Sequence, residues 1–445
     1  MDIKLRLTLM NFLQFAIWGS YLVCIGNFLG RIGLGDYISW FYVAQGVVSI
    51  FMPAIIGAIA DKFIQPQRML GISHLIAALF IFIAAWFGIE AAAWAAEQSA
   101  AGVQEIHGKV WPIFIPYVIS VAFYMPTLAL SNTVAFSTLA RNGYDTVKDF
   151  PPIRVFGTVG FIAAMWFVNF VGFGLGEAAQ FTYMQLIVCG ALGVILGLYS
   201  FTLPECPISE SSKNEKKSLA QRLGLDAFVL FKQKKMAIFF IFSMLLGVSL
   251  QITNGFATPY INSFAASSES WFAQNPTLLT SLSQISEALC ILLIPFFLGR
   301  FGIKKVMLIA MMAWVFRFGL FGVGSTESVG GLVALFASMI VYGVAFDFFN
   351  VSGALFVERE ASSDYQASAQ GLFMLMTNGI GASVGTWIAG KVVNHYCAWS
   401  DGYFVARPEV AGGWPTVWTI FAAYALVVAL LFAVIFKYKH TPAKA

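Results

Sequence analysis

Long apolar runs, each closed by a short polar stretch, recur along the whole chain. About twelve can be drawn, with approximate limits of 6–29, 38–60, 68–89, 111–134, 151–173, 181–203, 236–262, 275–299, 304–325, 330–356, 366–392 and 412–437. Each is roughly 20 residues, enough for an α-helix to cross ~30 Å of hydrocarbon. No water is available there, so each run must satisfy its own backbone N–H and C=O groups, which a helix does within one segment. The alternating ten-residue segments of a membrane β-barrel are absent. The pattern predicts an all-α polytopic membrane protein with about twelve transmembrane helices. The longest charged interruption falls near the middle. It divides the chain into a six-helix bundle at 1–203, a central loop at 204–235 and a second six-helix bundle at 236–445. Within the loop, Leu219, Leu223, Phe228 and Phe231 could line one side of an amphipathic helix lying on the membrane surface.

Composition sharpens this. Of 445 residues, 59% are hydrophobic and 11% charged, against roughly 25% charged in soluble domains. So much apolar surface cannot hide in one water-facing core. The net charge of +4 is small and gives no case for a nucleic-acid partner. The cations instead report topology. With the N-terminus inside, 20 of the 26 Lys and Arg fall in inner segments, and only Arg31, Lys109, Lys391 and Arg407 in outer ones. Both termini are therefore expected to be cytoplasmic. Lys4 and Arg6 precede an apolar run with no small-residue cleavage site, so that run reads as a first transmembrane helix and not a removed signal. Cys24, Cys189, Cys206, Cys290 and Cys397 share no metal-like spacing and read as small core residues. No G-x-x-x-x-G-K-[ST] loop is present, which argues against ATP-driven transport. No catalytic constellation suggests an enzyme, and no metal or other cofactor is expected.

A weak internal echo supports two equivalent halves. Met52-Pro53-Ala54-Ile55-Ile56-Gly57 closes the second run, and Ile294-Pro295-Phe296-Phe297-Leu298-Gly299 closes the eighth, about half a chain later. Parallel repeats of six helices are the organisation of major facilitator transporters. Gly57-Ala58-Ile59-Ala60-Asp61-Lys62 resembles the first half of that superfamily's loop motif, while Gln65-Pro66-Gln67-Arg68 is a degenerate second half.

Longer stretches carry a sharper resemblance. They include Asp149-Phe150-Pro151-Pro152-Ile153-Arg154 with Gly157-Thr158 and Gly160-Phe161, and Gly224-Leu225-Asp226-Ala227-Phe228. Phe239 to Gly247, then Leu250-Gln251-Ile252-Thr253-Asn254, Ser283-Gln284-Ile285-Ser286-Glu287, and Tyr342-Gly343 with Phe346-Asp347-Phe348-Phe349-Asn350, complete the set. These are similar to the nucleoside:proton symporter family of the major facilitator superfamily, the bacterial nucleoside permeases, from Phe12 to Lys439. The outer loop near 90–110 is longer than the family pattern. The resemblance implies proton-coupled uptake of nucleosides across the bacterial inner membrane by alternating access, with nucleoside, protons and lipid as partners and a monomer as the default. It also implies substrate-binding roles for Arg154, Thr158, Phe161, Gln251, Asn254, Gln284, Glu287, Tyr342, Phe346 and Asp347, with Glu287 or Asp347 carrying the proton. The alternatives are another hydroxyl-rich solute or export by the same fold.

The residues can also be weighed by themselves. Charges inside a membrane span are costly, roughly 2.5–3.5 kcal/mol each on insertion scales, which makes them functional candidates. Glu287 lies ~18 Å and Asp347 ~14 Å from the inner ends of their spans at 1.5 Å per residue. A buried carboxylic acid can load and release a proton, or it can hold a fixed inter-helix hydrogen bond. Gln284 precedes Glu287 by one turn, and Gln251 and Asn254 share a face in the same way. Paired amides offer donors and acceptors to hydroxyls or a base edge, or they tie helices together. Arg154 could pair with Asp347, donate to substrate oxygens, or snorkel to the interface. Phe161 and Phe346 could sandwich a planar base, although most of the 44 phenylalanines must face lipid or core. Asn11, Gln14 and Trp18 share a face of the first span. Arg317 reads as an inter-helix tie and His74 as a satisfied packing residue.

Overall fold

The computed structural model describes residues 2–103, 106–207, 225–361 and 366–438. Its contacts divide into two compact units, Met1–Arg222 and Leu223–Ala445. Among the described residues, nine helical segments are long and apolar enough to cross a membrane. One of them, Pro276–Gly322, is interrupted at Gly302, whose φ of 74° is left-handed. Glycine adopts that conformation without steric penalty, so the chain reverses there and makes two crossings. The first passage, broken by a turn, and the 17-residue Met184–Ser200 bring the crossing-length passages to the twelve that the apolar runs predict.

The first unit holds α1 (Ile3–Gly19), α2 (Ile25–Arg31), α3 (Ile38–Lys62), α4 (Pro66–Ala100), α5 (Trp111–Arg141), α6 (Thr146–Phe170) and α7 (Met184–Ser200). Helix α1 packs chiefly on α6, and α4 on both α5 and α7. Leu7, Met10, Leu13 and Ile17 form the buried stripe of α1, recurring at helical period. The α1–α6 approach is very close. A Cβ at Gly19 would run into the Phe161 carbonyl, and one at Gly160 into the Phe12 carbonyl. Small residues give membrane helices this route to backbone contact, because no hydrophobic effect separates helix from lipid.

The second unit holds α8 (Lys234–Leu250), α9 (Ile252–Ser263), α10 (Pro276–Cys290), α11 (Ile294–Gly322), α12 (Val329–Glu360), α13 (Gln366–Met374), α14 (Ala382–Tyr396) and α15 (Gly413–Ile435). Helix α11 packs on α12 and α15, and α10 on α12. A π-helical segment, Leu375–Gly381, joins α13 to α14 and lies against α8. Here too glycine sets the spacing, since Cβ atoms at Gly247 and Gly381 would strike the carbonyls of Thr377 and Met244.

Three features depart from the sequence pattern. Helix α4 continues to Ala100, so the long outer segment near 90–110 is half helical; Ala91-Ala92-Ala93 and Ala95-Ala96 supply high helix propensity there. The seventh passage is broken at Gln251, between α8 and α9. Between α14 and α15 stands a β-hairpin, Cys397–Ser400 with Tyr403–Ala406, whose Trp399 and Phe404 are register partners and stack at 5.2 Å. Its turn residues, Asp401 and Gly402, have φ of 51° and 83°, as an Asp-Gly turn with two positive φ values requires. The expected amphipathic helix lies mostly outside the described residues, as do Leu219 and Leu223. The described end, Leu225–Lys232, is 3₁₀-helical. That geometry eclipses i and i+3, and Phe228 stacks on Phe231 at 5.5 Å.

Candidate functional site

In the first unit the candidate residues gather where α6 crosses α1. Arg154, Thr158 and Phe161 fall within two turns of α6. The Arg154 guanidinium lies over the Phe15 ring, 3.9 Å from its centroid. Gly157 makes room for this, since a Cβ there would sit 2.7 Å from Phe15 and 2.8 Å from an Arg154 nitrogen. Arg154 and Thr158 are half-buried, whereas Phe161 is buried and meets Trp18 edge-on at 6.4 Å. Trp18 in turn touches Tyr124 of α5 at 6.1 Å.

Behind these rings lies a sealed polar network. Gln14 donates to Thr127 Oγ1 at 2.7 Å, and its Oε1 is 2.8 Å from His74 Nε2. Tyr124 donates to the Gln14 carbonyl at 2.7 Å. Gln14, His74 and Thr127 are each 0% exposed. One side chain therefore ties α1 to both α4 and α5. His74 is satisfied at Nε2, while Nδ1 has no partner and its ring lines a small cavity with Tyr21, Ser120 and Tyr124. Asn11 donates to Leu7 O within its own helix. Gln45, the residue half a chain before Glu287, is buried on α3 with Oε1 unpartnered.

In the second unit, three elements converge. Gln251 stands at the break between α8 and α9 and accepts a hydrogen bond from Asn254 Nδ2 at 2.8 Å, so the two amides face one way as a pair. Gln284 and Glu287 are half-buried on α10. Gly343 lets α12 approach this helix, because a Cβ there would lie 2.5 Å from the Ser286 carbonyl, and Ser286 Oγ donates to Ile340 O across the same contact. Tyr342, Phe346 and Asp347 are thereby held beside α10. Tyr342 stacks on Phe346 at 5.5 Å and 19°. Asp347 is 7% exposed, its Oδ2 has no hydrogen-bond partner, and Glu287 is within electrostatic reach of both Asp347 and Tyr342. Asn350, one turn on, donates to Phe346 O at 3.0 Å. Arg317 is the inter-helix tie its position suggests, joining α11 to Ser283 of α10 and Ser338 of α12.

Each unit thus carries its own cluster. Arg154, Thr158 and Phe161 are together in the first, and Gln251 with Asn254, and Gln284 and Glu287 with Tyr342, Phe346 and Asp347, in the second. Sequence reasoning missed Thr127 and Tyr124. Their signal is faint, since a Thr or Tyr in an apolar run is common, and only the fold places them against Gln14.

Twelve crossing passages in two units define a polytopic protein of the major facilitator fold. The xylose transporter XylE of E. coli shares that fold at 13% identity, with a TM-score of 0.58 over 97% of this chain and 98% of that one. The sequence profile of the nucleoside H+ symporter family matches residues 1–96 and 99–441, and the chain belongs to that family. It is 44% identical to the xanthosine permease of Escherichia coli (strain K12), spanning 100% of this chain and 98% of that one. It is also 44% identical to the nucleoside permease NupG of the same organism, over 99% of this chain and 97% of that one. The crystal structure of the nucleoside transporter NupG matches with a TM-score of 0.83 at 43% identity, covering 99% of this chain and all of that one.

Proposed function

We propose that this protein is a proton-coupled nucleoside permease of the bacterial inner membrane, working by alternating access as a monomer with both termini cytoplasmic. The observation that carries the reading is the set of residues at the start of α9 and on α10 and α12, in a chain belonging to the nucleoside H+ symporter family. Two carboxyl groups, the half-buried Glu287 and the buried Asp347, lie within electrostatic reach of each other. Carboxyl groups within membrane spans are the side chains on which proton relays in transporters are built. A carboxyl that loads a proton on one side and releases it on the other is what coupling requires. Gln251 with Asn254, and Gln284 beside Glu287, supply donors and acceptors for ribose hydroxyls or a base edge. Phe346 and Phe161 offer apolar faces to a planar base, and Arg154 and Thr158 add donors. The two bundles, 1–203 and 236–445, joined by 204–235, are the parts that move.

The test is uptake of radiolabelled uridine and adenosine into proteoliposomes, with and without an inward proton gradient, beside protonophore and sodium-gradient controls. Accumulation is expected to need the proton gradient and to collapse with protonophore. Glu287→Gln or Asp347→Asn is expected to abolish gradient-driven accumulation while leaving measurable nucleoside exchange in at least one of the two. Concentrative, pH-dependent uptake persisting in both variants would remove these carboxyls from coupling.

A further inference from the structure

Arg317 is 2% exposed, five residues before the end of α11 and within the apolar run 304–325, where an ionised side chain is expensive. Such a charge ordinarily finds a carboxylate. Among the described residues, no ion pair involves Arg317. Its partners are neutral instead. Nη1 donates to the Ser338 carbonyl at 2.9 Å and to Ser283 Oγ at 3.3 Å. Ser338 Oγ returns a hydrogen bond to the Arg317 carbonyl at 2.9 Å, so α11 and α12 are stapled in both directions at one level. The guanidinium carbon is 4.4 Å from the Tyr342 ring centroid and 5.3 Å from that of Phe321. A cation over an aromatic face is attracted by the ring quadrupole, more strongly where water is excluded.

The contact continues outward. Tyr342 and Phe346, one turn apart on α12, stack at 19° between ring planes. Trp314, one turn before Arg317 on α11, closes the side of Tyr342 edge-on at 5.9 Å. Tyr342 is buried and Phe346 half-buried. The sequence of groups is therefore guanidinium, phenol, phenyl, running from the buried Arg317 and Tyr342 to the half-buried Phe346 ring. A planar cation with a fork of donors suits this place. An ammonium could make the hydrogen bonds but not the flat stack.

We propose that Arg317 is a positioning residue of the substrate site, holding Tyr342 and through it Phe346 as a rigid stacking platform for the substrate's planar base. The inference rests on the nucleoside reading above. Arg317→Lys keeps the charge and loses the planar contact, and Arg317→Met removes the charge while filling much of the volume. Half-saturation and maximal rate are measured for uridine and adenosine, normalised to folded transporter recovered from the membrane. A loss of about 1 kcal/mol of cation–π attraction corresponds to roughly a fivefold rise in half-saturation concentration. That rise is expected in Arg317→Lys, larger for adenosine than uridine because a purine offers the wider stacking face, with maximal rate kept within about twofold. A merely structural tie would lower the amount of folded protein and leave half-saturation alone. If neither Arg317 variant folds, Ser283→Ala decides. It removes one acceptor of the guanidinium, and a rise of about twofold is expected. Unshifted half-saturation in folded variants would overturn the inference while wild-type uptake upheld the transport reading. Absence of any nucleoside uptake by the wild type would overturn both.

Discussion

Gln14 shows how much one side chain decides when it is buried. Its amide donates to Thr127 and accepts from His74, three helices meeting at one group. An inter-helix hydrogen bond in a membrane is typically worth ~0.6 kcal/mol. Truncating one partner costs more than that, because the groups left behind stay buried without a mate, at roughly 1–3 kcal/mol. Gln14→Leu orphans His74 Nε2 and one Thr127 contact together. A destabilisation of about 1–2 kcal/mol is expected, read as an earlier midpoint of thermal unfolding in detergent. An unchanged midpoint would mean that water or a rotamer change replaces both bonds. The sequence placed Gln14 on the right face with Asn11 and Trp18, but its spacing rule reaches only one turn along the same helix. Partners 60 and 113 residues away are outside that reach. The pair Gln251 and Asn254 was legible for the opposite reason: residues three apart on a helical turn are neighbours, and Gln251, in αR conformation at the start of α9, keeps that spacing.

At the scale of elements, glycine decides which helices touch. Gly19 and Gly160 bring α1 and α6 to backbone contact, and Gly247 and Gly381 do the same for α8 and the π-helical segment. The first contact carries Phe161 to Trp18 and sets Arg154 over Phe15. Gly160→Val would place two methyls where the Phe12 carbonyl stands. No flexible side chain can yield there, so the helices must part. Overpacking of this kind costs roughly 1–3 kcal/mol or more. The expected outcome is a several-fold lower yield of folded protein, with weakened substrate binding in what remains; the conservative Gly160→Ala is expected to fall between. Wild-type yield and uptake in Gly160→Val would show that α6 can stand off α1 freely. The helices themselves were plain in the apolar runs, because each must satisfy its backbone alone. Where they break was less plain. The interruption at Gln251 and the π segment are held by neighbouring helices, and nothing in the local sequence compels them. The hairpin at Cys397–Ala406 did carry a local signal, Asp401-Gly402, overlooked beside much stronger hydropathy.

For the whole molecule, the distribution of Lys and Arg makes a topological prediction that chemistry can check. All five cysteines are buried, so the wild type is expected to give no background with a membrane-impermeant maleimide. Val103 and Phe63 are exposed, on segments assigned to opposite sides. Val103→Cys is expected to label in intact cells, and Phe63→Cys only after the membrane is opened. The reverse pattern would invert the orientation. Hydrophobic length, the positive-inside bias and family motifs were written in the sequence because each acts locally: a span inserts by its own apolar content, and a loop is retained by its own charge. These settled the class of fold, the number of crossings and the family. The tertiary structure alone decided which polar groups meet. Gln14 with His74, Arg317 with Ser283, and Arg317 on the Tyr342 ring are contacts between different helices. Their existence depends on helix rotation and on backbone approach allowed by absent Cβ atoms, and neither quantity is a property of any single segment.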